Sequence, residues 1–169
     1  IYIAWRDLRQ DDGDIYAQRI DAKGNRLWTN DLRINTDTGT ALQFEPAIAT
    51  DAAGTLWVTW VDNRNGNNDI YAQRINSSGE RLWRDEVQVN SDDAGADQGG
   101  ISLALLPEQG AVLAWHDNRA GSYDIYVARL ANTGAPAWTE NLRVNSDMTD
   151  SAQTYPALAA NAAGDLTVV

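Results

Sequence analysis

Cysteine is absent from this chain, and histidine, lysine, methionine and phenylalanine each occur once. No apolar run reaches the ~18 residues that a membrane-spanning helix needs, and no basic segment followed by an apolar stretch reads as a signal peptide. Without Cys there is no disulfide, no zinc-thiolate site and no thiol nucleophile. With His116 as the one imidazole, a multi-histidine zinc centre is excluded and a Ser-His-Asp triad has little to draw on. Positive charge is also scarce. The formal net charge of -11 has the wrong sign for nucleic acid or an anionic membrane, so neither a nucleic-acid partner nor membrane insertion is expected.

What is present is skewed. Asp outnumbers Glu nineteen to five and Arg outnumbers Lys twelve to one, which favours turns and loops over helices because Asp competes for backbone donors. Seven Trp in 169 residues point to repeated use of the indole ring. Shifting the sequence by 55 residues explains them. Trp5, Trp60 and Trp115 align, as do Asp7, Asp62 and Asp117, then Arg9, Arg64 and Arg119, and then Asp14, Asp69 and Asp124. The same shift superposes Tyr16, Tyr71 and Tyr126, the Trp28, Trp83 and Trp138 set, Asn35, Asn90 and Asn145, and finally Gln43, Gln98 and Gln153. The last four residues repeat the pattern of the first four.

Each unit reads as four short strands: residues 46–50, residues 55–61 with Leu56, Val58 and Trp60 on one face, residues 69–75, and a less regular residues 81–89. Turns such as Asp21-Ala-Lys-Gly24 and Asn76-Ser-Ser-Gly79 place Asp or Asn first and Gly fourth, which suits a type I turn closed by a left-handed glycine. No helical period competes. Four antiparallel strands per repeat, with central strands apolar on both faces, predict an all-β chain of β-propeller blades rather than a sandwich. The expected division is one repeat region over residues 1–169: strands two to four of a blade in 1–45, full blades in 46–100 and 101–155, and strands one and two of the next in 156–169. Propellers have about four to eight blades, so three units make an incomplete ring. The expected partners are therefore further blades of the same protein or other copies of the chain, joined head to tail.

The turn Asp21-Ala-Lys-Gly24 with Trp28, and Asn76-Ser-Ser-Gly79 with Trp83, resemble the third-to-fourth-strand turns of bacterial extracellular propellers of the sialidase-like, Asp-box (BNR) type. The spacing differs from the usual Asp box, since Gly falls three and Trp seven residues after Asp21. The segment Asp69-Ile-Tyr-Ala-Gln-Arg-Ile75 with Trp60-x-Asp62-x-Arg64 also resembles repeats of large secreted bacterial surface proteins. The resemblance implies an extracellular or cell-surface location in a bacterium.

In a four-stranded meander the connection between strands two and three shares a rim with the connection to the next unit. That rim gathers the binding candidates Asp7, Asp62 and Asp117, Arg9, Arg64 and Arg119, Asp14, Asp69 and Asp124, and Gln43, Gln98 and Gln153. One reading is structural: Arg64 lies between Asp62 and Asp69 and can fork onto either carboxylate. A second is calcium, with Asp11, Asp12, Asp14, Asp62 and Asp69 as hard oxygen ligands, although an Arg recurs where a ligand oxygen is wanted. No cofactor is required. A third is catalysis of the sialidase kind, which the resemblance would build from an Arg cluster, a Tyr activated by Glu and an Asp acid/base. The Phe-Arg-Ile-Pro motif of those enzymes is absent and no Glu recurs in all units, so no catalytic residue is assigned. His116, which replaces Arg6 and Val61, is expected as a solvated rim side chain, and most Trp as packing between sheets. The expected function is a non-catalytic module that binds a glycan or surface protein or serves as scaffold. The alternatives are a fragment of a sialidase-like carbohydrate-active enzyme and a self-assembling structural unit.

Overall fold

The computed structural model describes residues 1–9, 13–91, 95–147, 149–161 and 163–169. Among them there is no helix; the chain forms strands in four antiparallel sheets. The first holds β1 (Tyr2–Asp7), β2 (Asp14–Arg19) and β3 (Leu32–Arg33). The second holds β4 (Gln43–Thr50), β5 (Leu56–Asp62), β6 (Asp69–Ile75) and β7 (Val87–Gln88), in that order across the sheet. The third repeats it as β8 (Gln98–Leu106), β9 (Gly110–Asp117), β10 (Asp124–Leu130) and β11 (Leu142–Arg143), and β12 (Leu158–Ala160) pairs with β13 (Leu166–Val168) in the fourth. The sheets do not close into a ring.

The middle strands of each sheet are apolar because they are covered on both faces. All seven residues of β5 are buried, and Trp60 and Trp115 are fully so. One interface packs Ile15, Trp28 and Ile34 of the first sheet on Leu56, Val58, Trp60 and Ile75 of the second; the next packs Trp57, Ile70, Trp83 and Val89 on Leu113, Trp115, Tyr126 and Leu130. Sheet thus follows sheet in a constant sense, and β4 lies against β8 as β8 lies against β12. Hydrogen bonds mark each junction. Trp28 Nε1 donates to the Ser77 carbonyl at 3.2 Å, and Trp83 Nε1 donates to the Asn132 carbonyl at 2.9 Å.

Two features differ from the expected strands. The fourth strand of a full unit is two residues long, not residues 81–89, because a side chain replaces the ladder. Gln73 accepts from Trp83 N at 3.2 Å and donates to Trp83 O at 3.3 Å, satisfying backbone groups that a neighbouring strand would otherwise pair. The first strand begins earlier than residue 46 and contains a bulge, with the register shifting between Phe44 and Ala47 in β4 and between Gly99 and Ser102 in β8. At this bulge Glu45, Gly100 and Tyr155 occupy the same repeat position, with φ of 51°, 63° and 55°.

Candidate binding surface

The repeated polar residues form a buried scaffold. Asp62 Oδ2 accepts from Trp60 Nε1 at 3.0 Å and from the Arg64 guanidinium at 2.5 Å, while Asp62 Oδ1 accepts from Arg64 N at 3.0 Å. The Arg64 guanidinium lies 4.3 Å from the centroid of the Tyr71 ring, which stacks on Trp60. Burial alone would raise the Asp62 pKa, but the Arg64 and Trp60 donors outweigh it and hold the carboxyl below its usual range. Arg9 holds Asp7, and Arg119 holds Asp117, in the same way. The three Arg therefore stay with their own sheets and form no shared cluster.

The Arg64 fork falls on one of its two candidate carboxylates. Arg64 pairs with Asp62 and with Glu86, at 2.7 Å, and not with Asp69. Asp69 takes its hydrogen bonds from Asn65, Asn67 and Asn90 at 2.8–3.1 Å. The physical reason is loop geometry: the Asn-rich segment 63–68 folds back over Asp69, while the Arg64 guanidinium lies over Tyr71 toward Glu86. The Gln set is likewise tied inward. Asn35 Nδ2 bridges Asp14 Oδ1 at 2.8 Å and Gln43 Oε1 at 2.9 Å, and Asn145 does the same for Asp124 and Gln153. Gln98 is buried at the matching position. Asp14, Asp62, Asp69, Asp117 and Asp124 are at most 2% exposed, so they brace the rim from inside. Of the calcium candidates, Asp11 and Asp12 lie outside the described residues; among the described residues no group of three or more acidic or His side chains is placed to hold a metal ion.

A different surface collects the residues that do not repeat. The bulges of successive first strands line a cavity of about 410 Å³ formed by Glu45 and Pro46, Gly100 and Ile101, and Tyr155 and Pro156. The Glu45 carboxylate accepts from Gly100 N at 2.9 Å. Tyr155 is 73% exposed. His116 stands between them and is half-buried in β9, not solvated on a loop as expected, because Gly99 and Gly100 leave the room for its ring. A methyl group at Gly100 would lie 2.6 Å from His116 Nδ1 and 3.1 Å from Tyr155 Cδ1; one at Gly99 would lie 3.0 Å from His116 Nε2 and 3.6 Å from Glu45 Oε2. The imidazole meets Tyr123 and Tyr155 edge to face, with centroids 4.8 Å and 5.2 Å away. Burial lowers the His116 pKa, against the smaller opposing pull of Glu45 and Asp117. Tyr155 N donates to Nδ1 at 3.4 Å, so the neutral ring carries its proton on Nε2, on the side of Gly99.

No protein-family model and no curated protein matches the chain. Among solved structures, the endo-arabinase from Bacteroides thetaiotaomicron VPI-5482 superposes with a TM-score of 0.57 at 15% identity, over 99% of this chain and 64% of that one. The likeness is one of fold. The chain spans less than two thirds of the length of that structure.

The bulge surface falls outside the repeated positions that mark the units in the sequence. The column Glu45, Gly100, Tyr155 lies between the repeated Gln43, Gln98, Gln153 and the alternating strand that follows, and its failure to repeat was the available signal. Chemically the surface offers an exposed aromatic face, a carboxylate held by a backbone donor and a neutral imidazole. Those are groups suited to a ligand with many hydroxyls and apolar C–H faces.

Proposed function

We propose that this chain is part of a bacterial extracellular β-propeller whose bulge surface, built from Glu45, His116 and Tyr155, binds a neutral carbohydrate. The observation that carries the reading is the convergence of non-repeating side chains in an otherwise repetitive scaffold. Tyr155 would stack on a sugar ring while Glu45 accepts from adjacent hydroxyls. A neutral sugar is favoured over an acidic one. The net charge of -11 repels anions, and Arg9, Arg64 and Arg119 are already held by Asp7, Asp62 and Asp117. Sheets covered on both faces, stacked in one sense with their first strands side by side, support the propeller arrangement, as does the fold likeness to the endo-arabinase. Polysaccharides are met outside the cell, in keeping with the location implied by the resemblance.

The test is affinity electrophoresis and calorimetry with soluble neutral polysaccharides, arabinan first, and polygalacturonate as the acidic comparison. Binding to a neutral polymer, lost in Tyr155→Ala and weakened in Glu45→Gln, is the expected result. Absence of binding across the neutral panel would retire the reading. A second reading, part of a carbohydrate-cleaving enzyme, is favoured by the fold likeness to the endo-arabinase. Canonical glycoside hydrolysis uses two carboxyl groups about 5–9.5 Å apart. Here Asp117, the acid nearest His116 in sequence, is buried and engaged by Trp115 and Arg119, which leaves Glu45 as the carboxylate lining the bulge cavity among the described residues. Release of reducing ends from a bound polymer, abolished in Glu45→Gln, would move the assignment from binding to catalysis.

A further inference from the structure

At the ends of β4 and β8 away from the bulge surface, the turn after each first strand stands beside its neighbour. Between the turns of the second and third sheets lies a cavity of about 570 Å³, within the size range of small-molecule sites. One wall belongs to the second sheet and the other to the third, so both of the sheets that bound this wedge are in place. Ala52, Ala53, Leu105, Leu106 and Pro107 make the lining largely apolar, and Asp51 and Glu108 are the charged residues in it.

Trp57 also lines the cavity and is 1% exposed. The Arg74 guanidinium lies 4.8 Å from the centroid of its ring, and Trp83 stands perpendicular to it at 5.2 Å. Its Nε1 has no acceptor among the described residues. Every other buried Trp has one: Trp28 donates to the Ser77 carbonyl, Trp60 to Asp62, Trp83 to the Asn132 carbonyl and Trp115 to Asp117. The preceding junction shows what is missing. There Tyr2 holds the Trp57 position, and its hydroxyl donates to the Gly54 carbonyl at 2.7 Å, tying one sheet to the turn of the next. In the third sheet the corresponding carbonyl is that of Gln109, in a turn of different sequence, and it accepts from Arg129 at 3.4 Å. The cross-wedge tie is therefore absent, and a buried N–H donor is left for a ligand to satisfy.

The two carboxylates differ in what they have left to offer. Asp51 accepts from Thr55 N at 2.8 Å and lies 3.7 Å from the Arg74 guanidinium. Glu108 is exposed, and its carboxylate has no hydrogen-bond or ion-pair partner among the described residues. We propose that this cavity binds a small organic ammonium ion: its apolar body fills the wedge, an oxygen on it accepts from Trp57 Nε1, and its ammonium group meets Glu108. Two carboxylates at the site, in a chain of net charge -11, exclude an anion of the same shape. The apolar lining, with the Trp57 ring already covered by Arg74, is unlike the bulge surface and does not suit a polyhydroxylated ligand.

Tyramine is the probe, since it carries a ring, a phenolic oxygen and an ammonium group. Titration calorimetry of the full 169-residue chain should show one site, with a dissociation constant on the order of millimolar or below for a ligand of this size. Phenethylamine, which lacks the oxygen, should bind about two- to tenfold more weakly, the worth of one hydrogen bond. 4-Hydroxyphenylacetate, with a carboxylate in place of the amine, should not bind. Ala53→Phe fills the wedge from an exposed turn position and should abolish tyramine binding, while Glu108→Gln should weaken it about two- to fivefold. Both variants should keep the wild-type circular dichroism. Absence of tyramine binding to the wild type overturns the proposal. So does equal binding of 4-hydroxyphenylacetate or phenethylamine, or undiminished binding of tyramine to folded Ala53→Phe.

Discussion

The indole of Trp60 donates its N–H to Asp62 Oδ2 at 3.0 Å, two residues along the same strand and inside the protein. Side chains two apart on a strand share a face, so Trp-x-Asp lays the indole and the carboxylate side by side without any contribution from the loop. Arg64 then closes over Tyr71 and pins the start of segment 63–68. The motif Trp-x-Asp-x-Arg is therefore a device for ending a central strand with its polar groups satisfied. Sheets one and three carry it with Trp5 and Asp7 and with Trp115 and Asp117.

Asp62→Asn keeps the shape but puts an amide against Trp60 N–H and leaves Arg64 with Glu86 as its remaining carboxylate partner. Breaking a buried pair in this way costs about 3–5 kcal/mol. Asp7→Asn should cost much less, because the Arg9 side chain is 48% exposed and water replaces the lost partner. Urea unfolding of both variants checks the difference, and equal losses would show that burial does not set the cost.

The depressed carboxyl pKa of Asp62 fixes the direction of acid sensitivity. Its folded pKa lies below the unfolded value of about 3.9. Its contribution is fully present above that value and is lost as pH falls through the folded pKa. His116 is lowered too, from an ordinary value of about 6.5. The unfolded chain then binds the extra proton, so stability begins to fall as pH drops below about 6.5. Melting temperature against pH should decline in two stages. His116→Gln is expected to remove the upper stage and leave the lower one.

How far these features could be read in advance depends on whether a residue's partner repeats with it. Strands β5 and β6 stand where the apolar alternation around Trp60 and the run Asp69-Ile-Tyr-Ala-Gln-Arg-Ile75 place them, because both are patterned by burial. The Arg64 to Glu86 pair was hidden, since its acceptor lies 22 residues away at a position that reads Asp31, Glu86 and Asn141 in the three units. The short fourth strand was hidden because Gln73, a residue with no turn or breaker character, takes over its hydrogen bonds. The bulge surface was hidden for the opposite reason. Left-handed backbone at Glu45 and Tyr155 is unusual for residues with side chains, and only Gly100 hints at it in sequence.

Millimolar calcium is expected to leave the melting temperature unchanged if Asp62 and Asp69 are its only available ligands. Their oxygens face N–H donors from Trp60, Arg64, Asn65, Asn67 and Asn90, and a cation would have to displace those donors, including a guanidinium. Thermal unfolding with calcium and with chelator measures this. A rise with calcium that survives Asp69→Asn would direct attention to Asp11 and Asp12.

Gly100→Ala separates two costs at the bulge surface. The backbone there has φ 63°, where a side chain is disfavoured by about 1 kcal/mol, and the added methyl would also meet His116 Nδ1 at 2.6 Å. The single variant should therefore lose about 1–3 kcal/mol in urea unfolding. Combining it with His116→Ala removes the contact with the imidazole but not the backbone term. The double variant should then lose less than the two singles added together, and the shortfall is the part of the cost that belongs to crowding. Strict additivity would mean that His116 has room to move aside, and that the two glycines serve the backbone rather than the ring they border.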